Sequence, residues 1–265
     1  MARYQAESIV LRNQDFGETD VKLTLFTREK GKVEGILKSA RKSTSKLGGV
    51  CQVFNTIQIS YFAKEHTELC KIIQTDIQSS REIVRFDLKK YSLASLLMEI
   101  LIRTTGAHET NEELYELIQH YLDGFKQVPD DYLWSLSHWI RLLQITGFAP
   151  LLSQCVKCYR NRPVERTFDQ GEFYFDTRRG GLLCTTCRRA LTTDIDLCVL
   201  NPETLHFFSA SQQEPLGQMS GLTLSPADSR LLFALLYEHS RHQLEGDFKS
   251  IEFLRQMWSV PAGER

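Results

Sequence analysis

Apolar residues recur at every second position up to about residue 80 and at every third or fourth position beyond it, which separates a β module from a helical remainder. In the first part, Ala6–Leu11 and Val21–Thr27 are short β-rich runs, and Arg28-Glu29-Lys30-Gly31 turns the chain into a third, Lys32–Leu37. Asn13–Asp20 between the first two reads as loop. Two more strands are expected around Val53–Phe62, with Val53, Ile57, Ile59 and Tyr61 on one face, and around Leu69–Thr75. Five short strands without helical crossovers fit a small closed or partly open barrel of the OB type, with an SH3-like barrel as the nearest alternative. From about Glu82 the stripes are helical: Tyr91, Ala94, Leu97, Met98, Leu101 and Ile102, then Leu114, Leu117, Ile118, Tyr121 and Leu122, then Leu133, Leu136, Trp139, Ile140 and Leu143. Asn201-Pro202 and Ser225-Pro226 open further helices, and Ser211–Gly221 reads as a polar linker.

Two cysteine pairs interrupt the helical part, Cys155-Val156-Lys157-Cys158 and Cys184-Thr185-Thr186-Cys187, with 25 residues between them. Each pair lets two sulfurs of one tight turn reach the same ion, so the four together predict a tetrahedral structural zinc site with no open position for catalysis. Disulfide or thiol redox chemistry is the alternative, but Met1–Ser8 has no apolar leader segment, and neither the strand nor the helix of a thioredoxin-like motif is evident around either pair. The segment between the pairs holds Phe173-Tyr174-Phe175 and a turn, with no core of its own, so the metal is expected to staple it. Cys51, Cys70 and Cys198 read as small core residues. The expected architecture is therefore α+β and multi-domain: an OB-type barrel over 1–80, a helical bundle over 81–150 and 194–265, and a four-cysteine zinc-ribbon insertion over 151–193. Without an apolar stretch of membrane length, the protein is expected to be cytoplasmic and to have no membrane partner.

Catalytic motifs are missing. There is no phosphate-binding GxxxxGK[ST], no GxGxxG after a strand and no GxSxG elbow. His108, His120 and His138 lie on or beside helices, where packed or surface roles are commoner than ligation, and Asp15, Glu18 and Asp20 read as a solvated acidic loop. The protein is expected to be non-enzymatic.

Charge is uneven. The whole chain carries a formal −1, yet residues 22–46 hold Lys22, Arg28, Lys30, Lys32, Lys38, Arg41, Lys42 and Lys46 against only Glu29 and Glu34. On an OB barrel this stretch covers strands 2 and 3, the face that binds oligonucleotides. The eight cations are therefore candidate phosphate contacts, whose binding weakens steeply with salt. A lysine-guarded edge hairpin is the alternative. Phe16, Phe26, Phe54, Tyr61 and Phe62 are available for base stacking, although Phe26 and Phe54 are expected in the barrel core. Arg141, Arg178, Arg179, Arg188 and Arg189 could receive an acidic peptide, which keeps a zinc-containing interaction adaptor open beside nucleic-acid binding. A zinc-ribbon transcription or translation factor that binds RNA is a third possibility.

The run Leu37-Lys38-Ser39-Ala40-Arg41-Lys42-Ser43 resembles the basic segment of the RecO family of bacterial recombination mediators. So do Glu7–Leu11, Phe16–Asp20 and Leu25–Gly31, and farther on Leu142–Pro150 leading into Cys155 and Cys158, with Phe175–Gly181 before Cys184 and Cys187. Ser39 departs from a position where that family often has glycine. The resemblance spans nearly the whole chain in order. It implies binding of single- and double-stranded DNA, annealing of complementary strands and association with the nucleoid. It also implies work with RecR to load RecA onto DNA coated by single-strand-binding protein, whose acidic tail would be the peptide partner. Not every family member keeps the four cysteines, which implies that the metal is dispensable to the activity.

Overall fold

The computed structural model describes residues 2–42, 46–63, 69–160, 173–191, 196–251 and 254. They form two compact units, Met1–Gln127 with Lys249–Arg265, and Val128–Phe248.

The first unit is built on five strands: β1 (Ala2–Phe16), β2 (Asp20–Thr27), β3 (Gly31–Leu37), β4 (Thr56–Ala63) and β5 (Leu69–Ser79). They close into a barrel in the order β1-β2-β3-β5-β4, with β1 paired to both β2 and β4 and a parallel β3–β5 contact sealing it. This is the OB arrangement. A 15-residue strand serves both sides because a bulge between Val10 and Arg12 bends it, so its first half lies on β4 and its second on β2. Four of those residues, Asn13–Phe16, were expected in a loop; their pairing with Asp20–Leu23 makes them strand, and only Gly17–Thr19 turns. Ala6, Val10, Leu23, Leu25, Ile57 and Ile59 fill the interior and are wholly buried. Burial of such side chains contributes about 1.5–3 kcal/mol each for the larger ones. Gly35 is needed at the β3–β5 seam, where a Cβ would stand 2.8 Å from both Cys70 Sγ and Ile72 Cγ1.

Helices α1 (Glu82–Arg85), α2 (Leu88–Thr104) and α3 (Glu112–Gly124) belong to the same unit. Asp87 and Asn111 cap α2 and α3 through the backbone N–H groups of Lys90 and Leu114. The α3 stripe Leu114, Leu117, Ile118, Tyr121 and Leu122 is completely buried, as its period requires. In α2 the expected stripe is only partly right: Tyr91 is 38% exposed, whereas Leu93, Leu96 and Ile100 are buried beside Ala94, Leu97 and Leu101. A helix covered on more than one side buries a wider arc than a single stripe.

The second unit contains α4 (Asp131–Ile145), β6 (Phe173–Asp176), β7 (Gly181–Leu183), α5 (Thr185–Arg189), β8 (Leu197–Leu200), α6 (Pro202–Gln213) and α7 (Pro226–Gln243). Asp130, Asn201 and Ser225 cap α4, α6 and α7, the last two with proline in the first turn. The strands form a sheet in the order β7-β6-β8. Contrary to the sequence expectation, this segment does have an apolar side: Phe175, Leu182 and Leu200 are wholly buried, and Phe175 stacks on Phe208 of α6 at 6.1 Å. The expected linker Ser211–Gly221 is also different. Helix α6 runs to Gln213, Ser211 is buried with its hydroxyl donating to the Phe207 carbonyl at 2.8 Å, and Met219 is buried in a short 3-10 turn, Leu216–Gly221. A hydroxyl satisfied within its own helix carries no demand for solvent.

Candidate nucleic-acid interface and metal centre

Alternation along β2 and β3 sends Val21, Leu23, Leu25, Val33 and Leu37 into the barrel and Lys22, Thr24, Phe26, Lys32, Glu34 and Ile36 outward. The outer face divides along its length. Near the β2–β3 hairpin it is covered by helices: Phe26 stacks on Tyr115 of α3 at 6.3 Å and is wholly buried. Phe54, also buried and set at φ 72°, meets the Tyr91 ring of α2 at 5.4 Å. Both aromatics are buried as expected, but against helices, outside the cluster that fills the barrel. At the other end, bordered by the β1–β2 turn and the loop that follows β3, Lys22 and Ile36 are only half-buried.

The eight candidate cations divide along the same line. Arg28 meets Glu116 at 2.5 Å, Glu112 at 3.2 Å and Glu7 at 3.6 Å, and its guanidinium sits 4.7 Å from the centre of the Tyr115 ring. Burial works against its charge, but Glu116 and Glu7 outweigh it and hold the pKa above its ordinary value. Lys32 Nζ donates to the Ile102 carbonyl at 2.7 Å and to the Thr105 carbonyl, capping the C-terminus of α2. Burial lowers its pKa, with Glu34 and Glu109 offsetting part of the shift. Lys22 is held by Glu34 at 2.7 Å. Lys30 lies exposed in the hairpin turn, 5.7 Å from the centre of the Tyr4 ring. Lys38, Arg41 and Lys42 are exposed in the loop after β3, with Arg41 bridged to Asp15 at 3.1 Å. Lys46 begins a short 3-10 turn, Lys46–Gly48.

That loop has a defined shape. Ser39 adopts φ 57°, its N–H donates to Asp20 Oδ1 at 2.8 Å, and the N–H of Arg41 donates to the Thr19 carbonyl at 2.9 Å. Ala40 is buried, which pins the loop while its neighbours Lys38, Arg41 and Lys42 face solvent. Asp20, expected in a solvated acidic loop, instead organises this backbone.

In the second unit the four sulfurs of Cys155, Cys158, Cys184 and Cys187 lie within 4.8 Å of one another, with Cys158 and Cys184 3.8 Å apart. A disulfide would need about 2.05 Å. Zinc–sulfur bonds of about 2.3 Å give a tetrahedral sulfur–sulfur edge of about 3.8 Å, so the donor set fits a thiophilic dication. Burial resists ionisation of Cys155, yet N–H groups of Cys184, Cys158 and Lys157 aimed at its sulfur outweigh that and bring it down to about 6. Cys187 is pushed up to about 12, by burial first and by the neighbouring sulfurs after it. Four thiolates this close need a cation to ionise together. The strand and helix that the sequence does not reveal are present at the second pair: β7 ends at Leu183, and Cys184 is the N-cap of α5. Convergence of all four sulfurs still makes it half of one site.

Two family models cover the chain, the N-terminal part of recombination protein O over residues 1–81 and its C-terminal part over residues 85–252. The chain belongs to the RecO family. Curated relatives named DNA repair protein RecO include those of Caldanaerobacter subterraneus, 28% identical across 96% of this chain and 98% of its own length, and of Bacillus pumilus, 28% identical across 97% and 95%. A third, from Thermoanaerobacter, is 26% identical across 98% of this chain and all of its own. Membership of the RecO family carries a role in DNA repair and recombination. The fold fits the family resemblance, and the positive φ of Ser39 explains why glycine suits that position.

The five arginines suggested for a peptide have different surroundings. Arg141 donates to the Gln212 carbonyl at the end of α6. Arg179 holds the β6–β7 turn through the buried Asp176, which accepts from its backbone N–H at 2.8 Å and its guanidinium at 2.5 Å. Arg188 lies over the Tyr174 ring at 5.2 Å. Arg178 and Arg189 are exposed. His138 is wholly buried, with Nδ1 2.8 Å from the Trp134 carbonyl, a core histidine as expected. Three exposed cations on the outside of the barrel escaped the sequence reading, Arg3 and Arg12 on β1 and Lys71 on β5, which is in register with Ile36. Only strand pairing reveals them, because none lies within the dense basic run.

Proposed function

We propose that this protein binds single- and double-stranded DNA without marked sequence preference, through the end of the outer β2–β3 face that carries Lys22 and Ile36 and through the loop after β3. The observation that carries this reading is the pinned loop that holds Lys38, Arg41 and Lys42 at the surface beside that face. Side chains already committed to carboxylates or helix ends, Arg28 and Lys32, then hold the barrel and helices together. Neutralising phosphates with exposed cations lets two strands approach, which supports annealing without nucleotide hydrolysis and hence a non-enzymatic role. Family membership supports the finer assignment: a mediator that works with RecR and loads the recombinase onto DNA coated by single-strand-binding protein, in the cytoplasm near the nucleoid. The exposed Arg178 and Arg189 are the better placed of the five arginines for that protein's acidic tail. The metal is one structural zinc held by the four cysteines.

Reversing Lys38, Arg41 and Lys42 to glutamate tests the site. Each phosphate of a single strand that a protein cation neutralises contributes about −0.7 to the slope of log affinity against log salt. Without these three cations the slope should become shallower by about 2, and annealing of complementary strands should slow in parallel. An unchanged slope removes these residues from the DNA site.

A further inference from the structure

A transverse row runs around the outside of the barrel. Arg3 on β1 is in register with Phe62 on β4, Phe62 with Lys71 on β5, Lys71 with Ile36 on β3, and Ile36 with Lys22 on β2. Tyr61, Cys70, Ile72 and Leu37, their neighbours along the strands, are buried in the barrel interior, so the row faces outward. Arg3 and Lys71 are exposed, while Phe62, Ile36 and Lys22 are half-buried. Cation, aromatic, cation, aliphatic and cation thus follow one another at one strand spacing each, about 4.8 Å. Neither Arg3 nor Lys71 has an ion-pair partner among the described residues, whereas Lys22 shares its charge with Glu34.

Cations two strands apart, separated by an apolar surface, match a chain of phosphates whose bases turn toward the protein. A duplex keeps its bases stacked and offers only phosphates to such a row. A single strand offers both, and every base has a face that an aromatic ring can take.

We propose that a single DNA strand crosses the barrel along this row, with an unpaired base stacked on Phe62 between Arg3 and Lys71. The proposal rests on the DNA-binding reading above and adds to it the path and the preferred form of the strand.

The test compares Phe62→Leu, Phe62→Tyr and Lys71→Gln with the unaltered protein on three probes: a single-stranded oligonucleotide, the same length carrying abasic sites, and a duplex. Circular dichroism and melting confirm that each variant is folded. The unaltered protein should prefer the ordinary strand to the abasic one. Phe62→Leu should weaken the ordinary strand roughly tenfold, leave the duplex and the salt slope unchanged and erase the preference for bases. Phe62→Tyr should keep all three, because the ring remains. Lys71→Gln should make the single-strand slope shallower by about 0.7. If Phe62→Leu keeps the preference for bases, the stacking assignment is overturned. If, in addition, reversal of Lys38, Arg41 and Lys42 leaves binding untouched, the DNA reading of the barrel falls as well; if that reversal weakens binding, only the path fails.

Discussion

Arg28 lies inside the basic run yet faces three carboxylates, and its replacement by methionine separates a structural cation from a DNA contact. Methionine keeps most of the aliphatic stem and removes only the charge and its donors. The interactions removed are those with Glu116, Glu112 and Glu7 and with the face of Tyr115. Partly exposed ion pairs contribute about 0.2–1 kcal/mol each and a cation over a ring about 0.5–1. Three acids left facing one another add repulsion, so the expected cost is about 2 kcal/mol. Hydrogen exchange is the assay, read on peptides covering Asp20–Leu37 and Glu112–Gly124. A cost of that size speeds exchange through unfolding of this unit about 30-fold. The salt slope for DNA should stay as it was. A slope shallower by about 0.7 with unchanged exchange would refute the reasoning and return Arg28 to the phosphates.

Cys184→Ser, or treatment with a chelator, should accelerate exchange across Phe173–Leu183 and Leu197–Leu200 while DNA affinity falls less than about threefold; loss of binding with exchange unchanged would put the DNA site in the second unit. The buried His239 predicts a pH effect. Burial holds its pKa below the ordinary value, despite the Phe148 carbonyl 2.8 Å from Nε2, so the unfolded chain takes up its proton first as pH falls. Stability from this residue is therefore full above about pH 6.5 and declines below it. Urea titrations of the unaltered protein and His239→Gln should give a stability gap that narrows from about pH 7.5 to about pH 5.5, whereas a constant gap would mean that the imidazole does not titrate in this range.

Much of the fold is legible in the residues. The period change near Glu82, the capping residues Asn111 and Asp130 and the proline starts of α6 and α7 are all local signals, and the structure follows them. The paired cysteines converge as their spacing predicts. What the chain could not reveal locally depends on pairing. Nothing near Asn13 marks it as strand until β2 lies beside it. Arg28 and Lys32 look like surface charge because their partners Glu116 and Thr105 stand 88 and 73 positions away in the chain. Net charge counts cations without asking which are already engaged, so the basic run overstates the exposed charge of the barrel. Conversely, Arg3, Phe62 and Lys71 form a row only once the register of the strands that carry them is fixed.

Closure of the barrel also limits how other proteins can meet it. Because β1 pairs with both β2 and β4 and β3 meets β5 over Glu34–Leu37, the strands are joined all the way round, while Ile73–Ser79 of β5 pair only with β4. Where the strands are joined on both sides a peptide cannot add itself as a sixth strand, so a protein partner there must be recognised through side chains and turns. The small sheet of the second unit differs. Its β7 edge is occupied by the first cysteine knuckle, where Leu182 donates to the Leu151 carbonyl at 3.1 Å and Val156 donates to the Leu182 carbonyl at 2.9 Å. Among the described residues this leaves β8, with Val199 43% exposed, as the edge of that sheet still open to an incoming chain.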